Sequence, residues 1–172
     1  VAADPNAEDA IVNMALALVE LGRLGEALDA CHRALELVPT DALAWVSKGV
    51  VLERMGRVEE ALEACDRAIA IDPNHALAWH NRGVRLGAKG RVSEALTAFE
   101  RSLSLDPTDA LTWTNHAKAL MQSQRLDEAL AAADRAVTLS PLNSGAWQAK
   151  AIVLKKLQRI DESLDAFDRA VE

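Results

Sequence analysis

The stretch "IDPNHALAWHNRG", from Ile71 to Gly83, sets a proline and a tryptophan six residues apart. Close variants recur as "LVPTDALAWVSKG" from Leu37, "LDPTDALTWTNHA" from Leu105 and "LSPLNSGAWQAKA" from Leu139. Prolines stand at Pro5, Pro39, Pro73, Pro107 and Pro141, and tryptophans at Trp45, Trp79, Trp113 and Trp147, so both series step by 34 residues without a slip. A fixed period of this length marks a tandem array, in which each copy is one supersecondary unit.

Within a copy the pattern predicts helix, tight turn, helix. From Asp41 to Met55 a capping aspartate leads into a proline-free run whose marks Trp45, Gly49 and Leu52 share one helical face. Gly56 suits a left-handed helix end. A second helix is expected from about Glu59 to Ile71, with Ala61, Leu62, Cys65, Ala68 and Ile69 inward, and Asp72-Pro73 stops it. Gly22 and Gly90 repeat the turn, but Gln124 and Gln158 replace glycine in the last two copies. There the turn either changes shape or bears strain on a side-chain-bearing residue. Glu26, Glu60, Glu94, Glu128 and Glu162 open the second helices, near the positive end of each dipole. Arg33, Arg67 and Arg169 follow Asp29, Glu63 and Asp165 by four residues, the supportive order for an exposed pair.

Two helices in a 34-residue period resemble the tetratricopeptide repeat, with Trp45, Gly49, Leu52, Gly56, Ala61, Ala68 and Pro73 carrying the pattern in one copy. The first copy departs from it with Ile11 and Ala15, and Leu18, Leu52, Leu86, Leu120 and Leu154 stand where the family usually has tyrosine. The resemblance implies an all-α fold, a right-handed superhelix of antiparallel helix pairs forming one solenoid over residues 1–172. Repeats fall at 8–41, 42–75, 76–109, 110–143 and a truncated 144–172, with 1–7 as the tail of a preceding copy. First helices line the concave inside and second helices the convex outside. One pair cannot bury its own apolar face, so stability sums over neighbouring interfaces. On this reading tryptophan wedges between layers.

Composition narrows the partners. A formal charge of −7 argues against nucleic acid. No apolar run exceeds six residues (Met14 to Val19), so no membrane insertion is expected. Cys31 and Cys65 take places filled by Phe99, Ala133 and Phe167 in later copies, as buried thiols would. A reducing, cytoplasmic setting fits them. No phosphate loop, HExxH, calcium loop or Gly-x-Ser-x-Gly occurs, and Gly83 is the register mate of helical Gly49 rather than part of a dinucleotide turn. His75 and His80 are five apart, off a shared face, and neither they nor His32 and His116 complete a ligand set. No catalysis, metal or cofactor is expected.

Rotation by about 100° per residue from each tryptophan exposes a second face. It carries Leu43, Val46, Ser47 and Val50, then Leu77, His80, Asn81 and Val84, then Leu111, Thr114, Asn115 and Lys118. By the resemblance this is the concave groove, and it is apolar for an open surface, as interaction sites are. Asn13, Asn81 and Asn115 recur there, each offering a donor and an acceptor to a peptide backbone. Pairing with a neighbouring helix is the alternative use of these amides. A carboxylate clamp is poorly served, because Leu43, Leu77 and Leu111 occupy its places and the basic residues reduce to Lys118 and Lys155. The expected function is a non-enzymatic adaptor holding a protein or peptide ligand. The alternatives are a regulatory arm of a larger enzyme, as in glycosyltransferases carrying such arrays, or a self-assembling scaffold. The last copy should expose Leu164, Phe167 and Val171 and favour association through the ends.

Overall fold

The computed structural model describes residues 5–171, with side chains from residue 10 onward. Among them are ten α-helices and no strand: α1 (Pro5–Glu20), α2 (Leu24–Leu37), α3 (Ala42–Arg54), α4 (Val58–Ile71), α5 (Ala76–Ala88), α6 (Val92–Leu105), α7 (Ala110–Gln122), α8 (Leu126–Leu139), α9 (Ser144–Lys156) and α10 (Ile160–Val171). The chain is thus an all-α array of helix pairs, with the helix, turn and helix of each copy where the periodicity places them.

The start of four first helices, α3, α5, α7 and α9, is written in one polar residue. Asp41 accepts hydrogen bonds from Leu43 N at 2.8 Å and Ala44 N at 3.0 Å, Asp109 from Leu111 N at 2.9 Å, and Asn143 from Ala146 N at 3.2 Å. His75 fills the same place in the third copy, its Nδ1 accepting from Ala78 N at 3.3 Å. Each satisfies a backbone donor that the helix leaves orphaned. The proline-to-tryptophan spacing has a bond of its own. The indole Nε1 of Trp45, Trp79 and Trp113 donates to the carbonyl of Pro39, Pro73 and Pro107 at 3.0 Å, and Trp147 to Pro141 at 2.7 Å. A half-buried indole must find an acceptor, and the chain returns it to the turn six residues upstream.

The inter-helix turns share one geometry. In each, an arginine N–H reaches back to a leucine carbonyl: Arg23 to Leu18, Arg57 to Leu52 and Arg91 to Leu86 at 2.9 Å, Arg125 to Leu120 and Arg159 to Leu154 at 3.0 Å. This is the Schellman closure, which needs a left-handed residue. Gly22, Gly56 and Gly90 supply it at φ 71° to 76°, and Gln124 and Gln158 adopt φ 62°. The turn therefore keeps its shape, and glutamine bears the strain. Each arginine then grips the glutamate three residues on through Nε and Nη2, at 2.5 to 2.7 Å. These bidentate bonds hold the carboxyls of Glu26, Glu60, Glu128 and Glu162 below the usual carboxylate range. The ion pair that recurs in every copy is therefore this one, at three-residue spacing.

By their contacts the residues gather into two compact units, Val1–Arg85 and Leu86–Glu172. The division falls inside α5, on neither a proline nor a linker. The first unit is packed by small residues, with Ala15, Ala27, Ala30, Cys31 and Val51 in one cluster and Leu52, Ala61 and Ala64 in another. A Cβ on Gly49 would lie 3.3 Å from the Ala61 carbonyl oxygen and 3.6 Å from Cys65 Sγ, so glycine there sets how closely α3 and α4 approach. Cys31 and Cys65 are buried free thiols, and desolvation pushes both up to about 11. In the second unit Trp147 packs against Ala136, Val137 and Ala146 on one side and against Ala151, Leu154 and Ala166 on the other. It thus wedges between successive layers.

Candidate functional site

In the first unit, α3 and α5 present the expected face, but not all of it is open. Leu43 and Leu77 are 40% and 47% exposed, while Val50, Asn81 and Val84 are half-buried. Val46 and His80 retain only 2% and 5% of their surface, and Thr114 of the second unit 2%. These three follow directly on a tryptophan and belong to the packing instead of the groove surface. Val46 lies against Ala68 and Ala78, and Thr114 returns its hydroxyl to the Ala110 carbonyl at 2.8 Å. Single-helix geometry puts them beside the open stripe, but the neighbouring helix covers that edge.

Arg85 is a feature the periodicity did not foretell. It is fully buried in a place that Val51 and Val153 fill with hydrocarbon. Its Nη1 donates to the Asn81 carbonyl at 2.7 Å, and its Nη2 stands 3.0 Å from Glu53 Oε2. That approach is off the N–H line, so Nη2 and Nε have no aligned hydrogen bond. The contact is an ion pair between α3 and α5. A cation at a hydrocarbon slot is the signal that could have found it.

In the second unit, Leu111 is 53% exposed, Asn115 half-buried and Lys118 exposed, all on α7. Ile152, the register mate of Lys118 on α9, is also exposed, and sequence reasoning overlooked it. No hydrogen bond joins the side-chain amide of Asn81 or Asn115 to the protein among the described residues. Their alternative use as links to a neighbouring helix is therefore absent, and both amides keep donors and acceptors available.

A second recurring feature is a notch beneath Trp45, Trp113 and Trp147, where a first helix meets its own second helix. Trp45, Lys48, Leu52, Glu63, Ala64 and Arg67 line one, with Lys48 Nζ 5.0 Å from the Trp45 ring centre. In the fourth copy the notch measures about 390 Å³ and is lined by Trp113, His116, Leu120, Ala131 and Ala132 among others. His116 stands 6.1 Å from the Trp113 ring and 4.0 Å from Glu100 Oε1. Burial lowers its pKa, which the charge of Glu100 opposes in part. Among the described residues no group of three or more His, Cys, Asp or Glu could hold a metal ion. No described helix is long and apolar enough to cross a membrane.

The family model described as "Tetratricopeptide repeat" matches residues 12–76, 80–144 and 114–172. Among solved structures the chain is similar to PilF of Pseudomonas aeruginosa, at 22% identity and a TM-score of 0.88 over 96% of this chain and 77% of that one. It is similar to MamA of Desulfovibrio magneticus RS-1 at 20% identity, TM-score 0.81, covering 95% and 93% of the two chains. YrrB, a protein of the same repeat type with an unusual peptide-binding site, gives 23% identity and a TM-score of 0.72 over 96% and 87%. At these identities the likeness shows the fold. No curated protein matches the chain.

Proposed function

Because the chain belongs to the tetratricopeptide repeat family, we propose that it is a non-catalytic interaction module holding a peptide or helix of another protein. Each unit offers its own surface for such a ligand, Leu43, Val50, Leu77, Asn81 and Val84 in the first, and Leu111, Asn115 and Lys118 in the second. The observation that carries this reading is the exposure of leucine at one register place, Leu43, Leu77 and Leu111, with the side-chain amides of Asn81 and Asn115 unbonded among the described residues. Exposed apolar side chains seek cover, and an amide offers a backbone both bonds it needs. That YrrB has a peptide-binding site on the same fold supports the reading. The test is selection of a random linear peptide library against the whole chain. Asn81→Ala with Asn115→Ala should weaken the recovered peptides alike, with helicity unchanged. Leu77→Ala should instead alter which peptides are preferred. A selection that enriches no peptide rejects the proposal.

A second reading, self-association through the first and last helices, is favoured by exposed Met14 on α1, by Leu21 in the turn that follows it, and by Leu164, Phe167 and Val171 on α10. Light scattering over a concentration series decides it. A mass that stays monomeric at every concentration rejects it.

A further inference from the structure

Carboxylates outnumber basic residues 26 to 19 in this chain, yet Lys118, Lys155 and Lys156 form no ion pair among the described residues. Most other cations of the second unit are engaged, Arg91, Arg125 and Arg159 with their glutamates and Lys150 with Asp134 at 2.8 Å, while Arg135 lies apart from these lysines on a second helix, α8. All three free lysines are exposed and lie on first helices, Lys118 on α7 and the others on α9, two helices that pack together. Cations in a last helical turn answer the dipole, which accounts for Lys155 and Lys156. Lys118 lies outside the last turn of α7.

Beside Lys155 and Lys156 the surface is apolar. Ile152 and Ile160 are exposed and, with Lys155, Lys156 and Gln158, line a cleft of about 440 Å³ at the turn from α9 to α10. Gln158 is there at a strained backbone angle, φ 62°, where glycine serves the equivalent turns at Gly22, Gly56 and Gly90. Strain retained at a cleft points to use of the side chain. Gln124 bears the same strain but lies outside the cleft.

We propose that this corner of the second unit binds a partner segment in which carboxylates flank an aliphatic or aromatic side chain. The apolar side chain sits between Ile152 and Ile160, the carboxylates meet Lys118, Lys155 and Lys156, and the Gln158 amide pairs with the segment's backbone. The proposal rests on the peptide-binding reading and names the ligand class for it. Charge complementarity selects the occupant, because three unpaired cations around exposed hydrocarbon repel basic segments and leave neutral ones without polar partners.

The test uses the whole chain and a random linear peptide library fused at its C-terminal end, so that no free terminal carboxylate is offered. The expected winners carry Asp or Glu beside Leu, Ile or Phe, and bind less tightly as salt rises. Lys155→Glu with Lys156→Glu should weaken the leading peptide about tenfold or more, with the melting temperature as a control. Lys118→Glu, away from the helix end, should do the same. Gln158→Gly should raise the melting temperature by about 2–4 °C while weakening the peptide, whereas Gln124→Gly should raise it without touching binding. If peptides are enriched without acidic bias, or if lysine reversal leaves their affinity intact while the asparagine pair abolishes it, this inference falls and the peptide-binding reading stands. If no peptide is enriched, both fall.

Discussion

Arg85 shows how much one residue can alter in a repeated frame. Its register mates Val51 and Val153 are fully buried hydrocarbon, and a guanidinium in such a slot needs a counter-charge. Glu53 on the preceding first helix supplies it at 3.0 Å. Burying an ion pair gains little net stability, but removing one partner strands the other. The two partners are unequal, since Glu53 is partly exposed and can be solvated alone, whereas Arg85 cannot. Glu53→Ala should therefore cost about 3 kcal/mol or more. Arg85→Val should cost little, and the double substitution should return close to the parent. Denaturant unfolding of the three variants measures this asymmetry. Equal costs for the two single substitutions would mean that the pair does not work as described. This pair also marks where sequence reasoning stopped. Periodicity reports what the copies share, and Glu53 with Arg85 occurs at only one junction between copies among the described residues.

At the scale of the helix and its turn, the sequence was legible wherever a residue acts within its own copy. The Asp41 cap, the glycine turns and the stop at Asp72-Pro73 are local chemistry, and the structure has all of them. The arginine-to-glutamate grip was readable too, as a motif of period 34 with three-residue spacing, but a four-residue pairing rule looks past it. What could not be read locally is which edge of a first helix the next layer covers. Val46, His80 and Thr114 lie on an apparently open arc and are closed over by neighbours. α7 carries a further consequence. Burial lowers the pKa of His116 relative to the unfolded chain, so the unfolded state binds a proton that the folded state resists. Stability contributed by the neutral imidazole is therefore intact above the unfolded value of about 6.5, and is lost as pH falls from there toward the depressed folded value. Thermal melts from pH 8 to pH 5 should show that loss, and His116→Gln should remove its share of it. Parallel curves for parent and variant would contradict the assignment.

Across the whole molecule, stability in such an array belongs to the interfaces between layers as much as to the helices themselves. Val137 on α8 and Val171 on α10 make the point with one residue type at one register place. Val137 keeps 7% of its surface, packed with Ala136 and Ala146 against Trp113 and Trp147 of the flanking first helices. Val171 keeps 84%, with no such layer over it among the described residues. Propensity and position within the copy match closely, so a difference in response measures what a neighbouring layer contributes. Val137→Asp puts a carboxylate into hydrocarbon without a partner and should cost about 3 kcal/mol or more. Val171→Asp replaces an exposed side chain and should stay within about 0.5 kcal/mol. Hydrogen exchange supplies the independent check, because a helix packed on one side opens without disrupting the rest. Amides of α10 should exchange well before those of α8, and Val171→Asp should leave that order intact. If the two substitutions cost the same, or if α10 exchanged as slowly as α8, the helices would be drawing their stability from within each pair, and summation over layers would not hold for this chain.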